Sequence, residues 1–200
     1  MTTLGVIVKL TVTVPAGSRC EDALKSLCTV EERGKAVGDL RWSGEGWKLI
    51  DGVLTVNATE DYAASGANSA PWGCLAPAIE RIELAEGITH IGDYSFWNCG
   101  SCRSVRIPGS VESIGDYAFG ACSSLTELKL PAGLKSIGYG SFSFCSSLTA
   151  LTLPEGLESV GADAFALCTG ITGVEKPASL REIGAGAFNF QGENTEELTE

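Results

Sequence analysis

Histidine is almost absent from this 200-residue chain, where His90 stands alone. With a single imidazole, most general-base mechanisms lose their usual proton acceptor. Basic runs are missing as well: 14 Lys and Arg face 25 Asp and Glu, a formal charge of −11. No cation cluster is available to neutralise phosphates, so nucleic acid is not expected as a partner. Long apolar runs are missing too. The longest, Leu4 to Val14, is broken by Lys9, Thr11 and Thr13 and falls short of the ~18 to 20 residues that cross a bilayer, so no membrane insertion is expected. The same segment has neither a charged leader nor a small-residue cleavage site, so it fails as an export signal. No nucleophile elbow, phosphate loop or HExxH pair is present, and the carboxylates are not paired by any motif. Catalytic residues, a cofactor and enzymatic activity are therefore not expected. What is present is a chain with 44% apolar residues, enough for one good-sized domain, or for one with a small appendage.

Its dominant feature is repetition. Phe96, Phe119, Phe142, Phe165 and Phe188 recur every 23 residues. Cys99, Cys122, Cys145 and Cys168 follow the first four by three positions, and Gln191 stands there in the fifth copy. Five residues before each phenylalanine comes Ile91, Ile114, Ile137, Val160 or Ile183, always followed by glycine. Two further apolar columns run through Ile82, Val105, Leu128, Leu151 and Val174, and through Ile88, Val111, Leu134, Leu157 and Leu180. A 23-residue unit cannot bury its own apolar side chains, so the copies must stack and share one core, which is a solenoid.

Within a unit, Leu128 and Leu130 alternate with Glu127 and Lys129, the pattern of a short strand with one buried face, and Pro131 ends it. Leu134 to Gly138 reads as a second extended piece whose glycine supplies a turn conformation. The spacing of Ala118, Phe119 and Cys122 predicts one or two helical turns. The expected fold is α/β: a strand-rich right-handed solenoid of five repeats, with parallel sheets, short helical turns and a phenylalanine spine.

The consensus, seen in Leu125-Thr-Glu-Leu-Lys-Leu-Pro131, Leu134-Lys-Ser-Ile-Gly138 and Ser141-Phe142-Ser-Phe-Cys145, resembles the BspA-like leucine-rich-repeat family over residues 79 to 191. Gly52-Val-Leu-Thr-Val56, Asp61-Tyr62 and Pro71-Trp72 look like the atypical first module of such proteins. An open solenoid end needs a cap in any case, and Trp42, Trp47 and Trp72 are expected to cover the first repeat. The resemblance implies a non-enzymatic adhesion module, cell-surface or secreted, of a host-associated bacterium, whose partner is a host extracellular-matrix or cell-surface protein.

The division expected is a strand-helix segment and linker over 1–38, a capping module over 39–78 and the solenoid over 79–200. In the first part, Val6 to Val14 alternate as a strand, Pro15 to Gly17 turn, Ser18 with Glu21 makes a capping box, and Cys20, Leu24, Leu27 and Cys28 share a helical face. Residues 31 to 40 read as the linker. At the other end Lys176, Gln191 and the acidic stretch 193–200 depart from the consensus, so the last copy is expected to fray.

Three groups of residues are candidates for function. The cysteine column, Cys99, Cys122, Cys145 and Cys168, suits buried free thiols, although Cys99-Gly-Ser-Cys102 also spells a CxxC that redox or zinc chemistry could use, with Cys74 and His90 as the available further ligands. The structural reading takes Cys99 as a column position and Cys102 as the counterpart of Leu125 and Leu148, leaving no metal site. A charge column, Glu112, Lys135, Glu158 and Arg181, alternates in sign and pairs opposite charges across repeats. The outward strand columns are Arg81, Ser104, Glu127, Ala150 and Gly173, and Glu83, Arg106, Lys129, Thr152 and Glu175. Mixed charge gives way there to a bare stretch at Ala150, Thr152 and Gly173. A rigid strand face is the surface through which solenoids usually bind, and it is the expected partner site. A passive stalk and a thiol or zinc protein are the alternatives. Tyr94 with Tyr117, and Phe144 with Leu167 and Phe190, read as core.

Overall fold

The computed structural model describes residues 11–13, 41–59 and 70–192, with backbone alone at 11–13, 41 and 42. Of the expected strand over Val6 to Val14, it describes β1 (Thr11–Thr13). The turn at Pro15, the helix from Ser18, the linker 31–40, Asp61-Tyr62, the Trp42 side chain and the stretch 193–200 lie outside the described residues.

A three-stranded meander forms the start of the stack. β2 (Arg41–Gly44), β3 (Trp47–Ile50) and β4 (Val53–Val56) are antiparallel, and β1 lies parallel beside β2. Asp51 and Gly52, with φ of 50° and 77°, make the two-residue link between β3 and β4, the left-handed pair that a type I′ turn requires. In β3 the alternation sends Trp47 and Leu49 inward and Lys48 to solvent. A 3-10 helix, Gly73–Ala78, precedes β5 (Arg81–Leu84), which pairs in parallel with β4 so that Leu54 faces Ile82 and Val56 faces Leu84. The repeat sheet therefore grows directly on the last meander strand. β7 (Ser104–Arg106) extends it.

A second parallel sheet is built from one dipeptide per repeat: β6 (His90–Ile91), β8 (Ser113–Ile114), β9 (Ser136–Ile137), β10 (Ser159–Val160) and β11 (Glu182–Ile183). Its partners are 23 residues apart, for example Ser136 with Ser159. The glycine after each dipeptide is there for a different reason from the one its sequence context suggests. Gly115, Gly138, Gly161 and Gly184 do not have positive φ. A β-carbon on Gly138 would lie 2.7 Å from the Gly115 carbonyl carbon, and one on Gly161 2.6 Å from that of Gly138. Stacked backbones simply come too close for a side chain.

The phenylalanine segments differ from expectation in a second way. They form no α-helix; they are runs of i→i−3 turns, such as Trp97 N–H to Tyr94 O and Cys99 N–H to Phe96 O. Left-handed residues recur every fourth position: Tyr94 and Asn98, Tyr117 and Ala121, Gly140 and Phe144, Asp163 and Leu167, all with φ between 52° and 62°. Each such non-glycine residue costs roughly 1–2 kcal/mol. The conformation turns alternate N–H groups sideways, so that Tyr117, Phe119 and Ala121 donate to Tyr139, Ser141 and Ser143 of the next repeat at 2.8 Å each. Three such bonds per interface hold a turn ladder that no continuous helix could make.

Between these ladders lies the core. Phe96, Phe119, Phe142, Phe165 and Phe188 are fully buried and stacked, with successive centroids 5.1, 5.3, 5.2 and 5.9 Å apart. Trp72 continues the column at 5.6 Å and fixes its indole by donating to Ser95 O at 2.7 Å, while Trp47 packs edge-on against it. At the far end Phe190 closes the column edge-on at 6.1 Å. Within the described residues the last rung carries an aromatic ring over Phe188, while its Ile183 is only partly buried, unlike Ile91, Ile114, Ile137 and Val160 of the same column.

One expected element is missing. Residues 128–130, 151–153 and 174–176 form no strands; beyond β7 there are isolated bridge residues alone, Glu127 paired with Ser104, and Glu175. The second sheet and the turn ladder hold the register of these repeats, and the strand side is released from it.

Candidate functional site

The outward columns of the strand side are in water, as alternation dictates. Arg81, Arg106, Glu127, Lys129, Ala150, Thr152, Gly173 and Glu175 are exposed, and Glu83 and Ser104 are half-buried. Register sets Arg81 beside Ser104 and Glu83 beside Arg106. The Arg106 guanidinium reaches past Glu83 and donates to Glu86 at 3.3 Å, with both side chains about 70% exposed. A pair so exposed contributes little to stability, which leaves its charges open to exchange with a partner. Inward neighbours Ile82, Val105, Leu125 and Leu148 are buried and fix the backbone beneath.

Thr152, Gly173 and Glu175 are brought together by the released strand segments. Between 151–155 and 173–177 opens a groove of about 550 Å³, lined by buried Leu151, Leu153, Val174 and Pro177, with exposed Glu155 and Lys176 at its rim. Of the nine lining residues, Thr152, Gly173 and Glu175 are sequence candidates and the other six are not; the bare stretch at Ala150, Thr152 and Gly173 is the signal for them. Arg81 and Arg106 sit at the other end of the face, on β5 and β7, so the ten candidates divide into a charged half and a grooved half.

A second, open groove of about 730 Å³ follows the dipeptide sheet past His90, Ser113, Ser136, Ser159 and Glu182. His90 Nδ1 lies 2.7 Å from Ser113 Oγ. In the charge column beside it, Lys135 donates to Glu112 at 3.2 Å, joining one opposite-sign pair of that column.

The cysteine column has a structural task. Cys122, Cys145 and Cys168 donate their S–H to Phe96 O, Phe119 O and Phe142 O of the preceding repeat at 3.2–3.3 Å. A thiol fits because it is small enough for the core and still carries a donor. Burial pushes the Cys102 and Cys168 thiols up to about 12. Cys122 is raised by its hydrogen bond with Cys99 and by burial, and Cys145 by burial. Neutral thiols of this kind are neither nucleophiles nor ready metal ligands. Cys99 and Cys102 of the CxxC are buried and free, and Cys102 donates to Ser104 O at 3.3 Å. Among the described residues no group of three or more His, Cys, Asp or Glu could hold a metal. Cys74, half-buried in front of β5, is disulfide-bonded.

The pattern described as "BspA type Leucine rich repeat region" matches residues 75–194 in six copies, against the five 23-residue units read from the phenylalanines. No curated protein matches the chain. Solved structures do. A T. pallidum leucine-rich-repeat protein is similar at 29% identity and TM-score 0.53, over 68% of this chain and 58% of that one. A leucine-rich-repeat protein of Eubacterium ventriosum ATCC 27560 shares the fold at 24% identity and TM-score 0.60, over 76% and 41%. A leucine rich cell surface protein of Faecalibacterium prausnitzii A2-165 shares it at 20% and 0.53, over 78% and 53%. The chain thus spans between 41% and 58% of the length of these proteins. Repeat regions of this type are generally protein-interaction or surface modules and typically non-enzymatic scaffolds. No helix among the described residues is long and apolar enough to cross a membrane.

Proposed function

Because the chain belongs to the BspA-type leucine-rich-repeat family, we propose that it is a non-enzymatic binding module that takes a host extracellular-matrix or cell-surface protein on its strand side. The observation that carries this reading is the coincidence, on one face, of an exposed charged half on β5 and β7 and a groove of about 550 Å³ reaching Thr152, Gly173 and Glu175. Buried columns beneath both keep that face rigid, so docking loses little conformational entropy. Arg81, Arg106 and Lys129 are the cations of its outward columns and meet acidic groups of the partner; the groove accepts an apolar side chain between Leu151 and Val174.

Placement at the cell surface or in the medium follows from the same reading. A disulfide at Cys74 suits an oxidising compartment, whereas the five free thiols among the described residues are buried and escape its oxidants. Both properties fit an exported protein.

The test is surface-immobilised binding of the purified chain to extracellular-matrix proteins, beside an Arg81→Ala/Arg106→Ala/Lys129→Ala variant. Saturable binding that the variant loses supports the reading. Binding that the variant keeps moves the site off the charged half. No binding to any matrix protein leaves a passive stalk as the better account.

A further inference from the structure

The turn ladder is built from segments distinct from the strands, and its composition is one-sided. Residues 92–102, 115–125, 138–148, 161–171 and 184–192 contain no lysine or arginine, yet they hold Asp93, Asp116 and Asp163. They also carry six aromatic side chains outside the phenylalanine column, four of which meet in one cluster. Tyr94 and Tyr117 are 5.1 Å apart, the Trp97 ring stands at 89° to Tyr117 at 5.3 Å, and Tyr139 meets Tyr117 edge-on at 5.1 Å.

Glycine makes this cluster possible. A β-carbon at Gly120 would lie 2.4 Å from the Trp97 ring, and one at Gly140 2.6 Å from that of Tyr117. Each ring leans over the next repeat into space that a side chain would fill. The outcome is a continuous aromatic surface across three repeats, with Tyr94, Trp97 and Tyr117 half-buried and Tyr139 40% exposed. The two large hydrophobic side chains exposed among the described residues, Tyr139 and Phe144, are both on this side.

The carboxylates belong to the same surface. Asp116 uses Oδ1 to accept the Tyr139 N–H at 2.7 Å, which seats Tyr139 beside it. Hydrogen bonding to Tyr139 and burial raise the Tyr117 phenol to about 12, and the Asp163 and Asp116 charges push in the same direction. Asp163 stands in the same 23-residue column as Tyr94, Tyr117 and Gly140, the next side chain along it after Tyr117. Neither Asp116 nor Asp163 forms an ion pair with a cation of the described residues. π-faces and uncompensated negative charge are together complementary to one class of group, a delocalised cation.

We propose that the aromatic surface of Tyr94, Trp97, Tyr117 and Tyr139, bordered by Asp116 and Asp163, docks an arginine side chain presented by a protein partner. The guanidinium stacks on the rings and its N–H groups reach the carboxylates. A solvated lysine ammonium fits the charge but not the flat faces, so arginine is preferred. This surface is separate from the strand side and would engage a partner independently of it.

The probe is an N-acetylated, C-amidated peptide of alternating glycine and arginine, with lysine and citrulline versions, labelled for fluorescence anisotropy at physiological salt. The arginine peptide is expected to bind saturably, the lysine version several-fold more weakly and the neutral citrulline version not at all. Tyr139→Ala and Asp163→Asn should each weaken arginine binding roughly five- to tenfold. Arg81→Ala/Arg106→Ala/Lys129→Ala should leave it unchanged, which separates failure here from failure of the strand-side reading. Both test positions are exposed or half-buried, and near-ultraviolet circular dichroism reports whether the variants remain folded. Absence of binding overturns the proposal. So does equal binding of the arginine and lysine peptides that neither variant weakens, since that is attraction to the net charge of −11 alone.

Discussion

Truncating Phe142 tests the stacked core where it is most continuous. Its ring is fully buried between Phe119 at 5.3 Å and Phe165 at 5.2 Å, with interplanar angles of 8° and 3°. Phe142→Ala removes a core aromatic, at a cost of about 3–5 kcal/mol, and cuts two stacked contacts worth roughly 0.5–1.5 kcal/mol each beyond their area. The upper part of the first range is therefore expected. Phe188→Ala is the matched control. That ring is also buried, but it has one stacked neighbour at 5.9 Å and an edge contact from Phe190. Its loss should be smaller by about 1 kcal/mol. Urea unfolding followed by circular dichroism reads both. At a slope of about 2 kcal/mol per molar, Phe142→Ala shifts the midpoint by about 2 M. A shift under about 0.5 M, or a larger loss at Phe188, would refute the continuous column.

The remaining predictions concern the backbone and the thiols. Gly138→Ala drives a methyl group into the Gly115 carbonyl carbon and the Asp116 nitrogen and should cost about 1–3 kcal/mol; a melting temperature unchanged from wild type would show that the stack can open there freely. Ala121→Gly should do the reverse of its usual effect. Ala121 has φ of 60°, so glycine relieves a left-handed β-carbon and stability should rise by about 0.5–1 kcal/mol in chemical unfolding, whereas a decrease would contradict that account. The thiol column makes stability fall at alkaline pH. Burial raises the folded Cys168 thiol from its ordinary 9.0 to about 12, so below pH 9 both states hold the proton and the stabilisation is complete. Above it the unfolded chain ionises first, and stability falls by about 1.4 kcal/mol per pH unit for each such thiol until the folded group titrates. Cys168→Ala should flatten the decline between pH 9 and 11 in thermal melts; an identical slope would remove Cys168 as a contributor.

Columns at 23-residue spacing make the core legible in the sequence. Phe142, Cys145, Ile137 and Leu134 each lie where the repeat put them, fully buried. The turn ladder was not legible, because Ala118, Phe119 and Cys122 have helical spacing, and what overrides it is a bond to the next repeat, Phe119 to Ser141. No local pattern reveals that a left-handed Phe144 or Leu167 is offset by such bonds. The 23-residue recurrence of Gly138 is visible, but its cause, backbone proximity between rungs, is a property of stacking alone. On the strand side, the alternation of Leu128 and Leu130 correctly separates inside from outside while saying nothing of where pairing between rungs ends. Hence the exposed columns could be named residue by residue and the groove at Thr152 and Gly173 could only be hinted at by small side chains. The aromatic cluster went the other way: the column of Tyr94 and Tyr117 reads as core, yet both lie half in the open, and Gly140 is what leaves room for the Tyr117 ring as Gly120 does for that of Trp97.

The stacked rings also govern how such a protein can change length. Each phenylalanine must land over its predecessor, at centroid distances of 5.1–5.9 Å, and the chain returns to that point only after 23 residues. An insertion of one codon inside a unit would displace the ring, the thiol and both hydrogen-bonded ladders at once. Gain or loss of a whole unit disturbs only two junctions, since each rung touches its neighbours alone. Growth of this architecture is therefore quantised, and its genes should vary by unequal exchange of complete 69-nucleotide blocks, each adding about 5 Å of height.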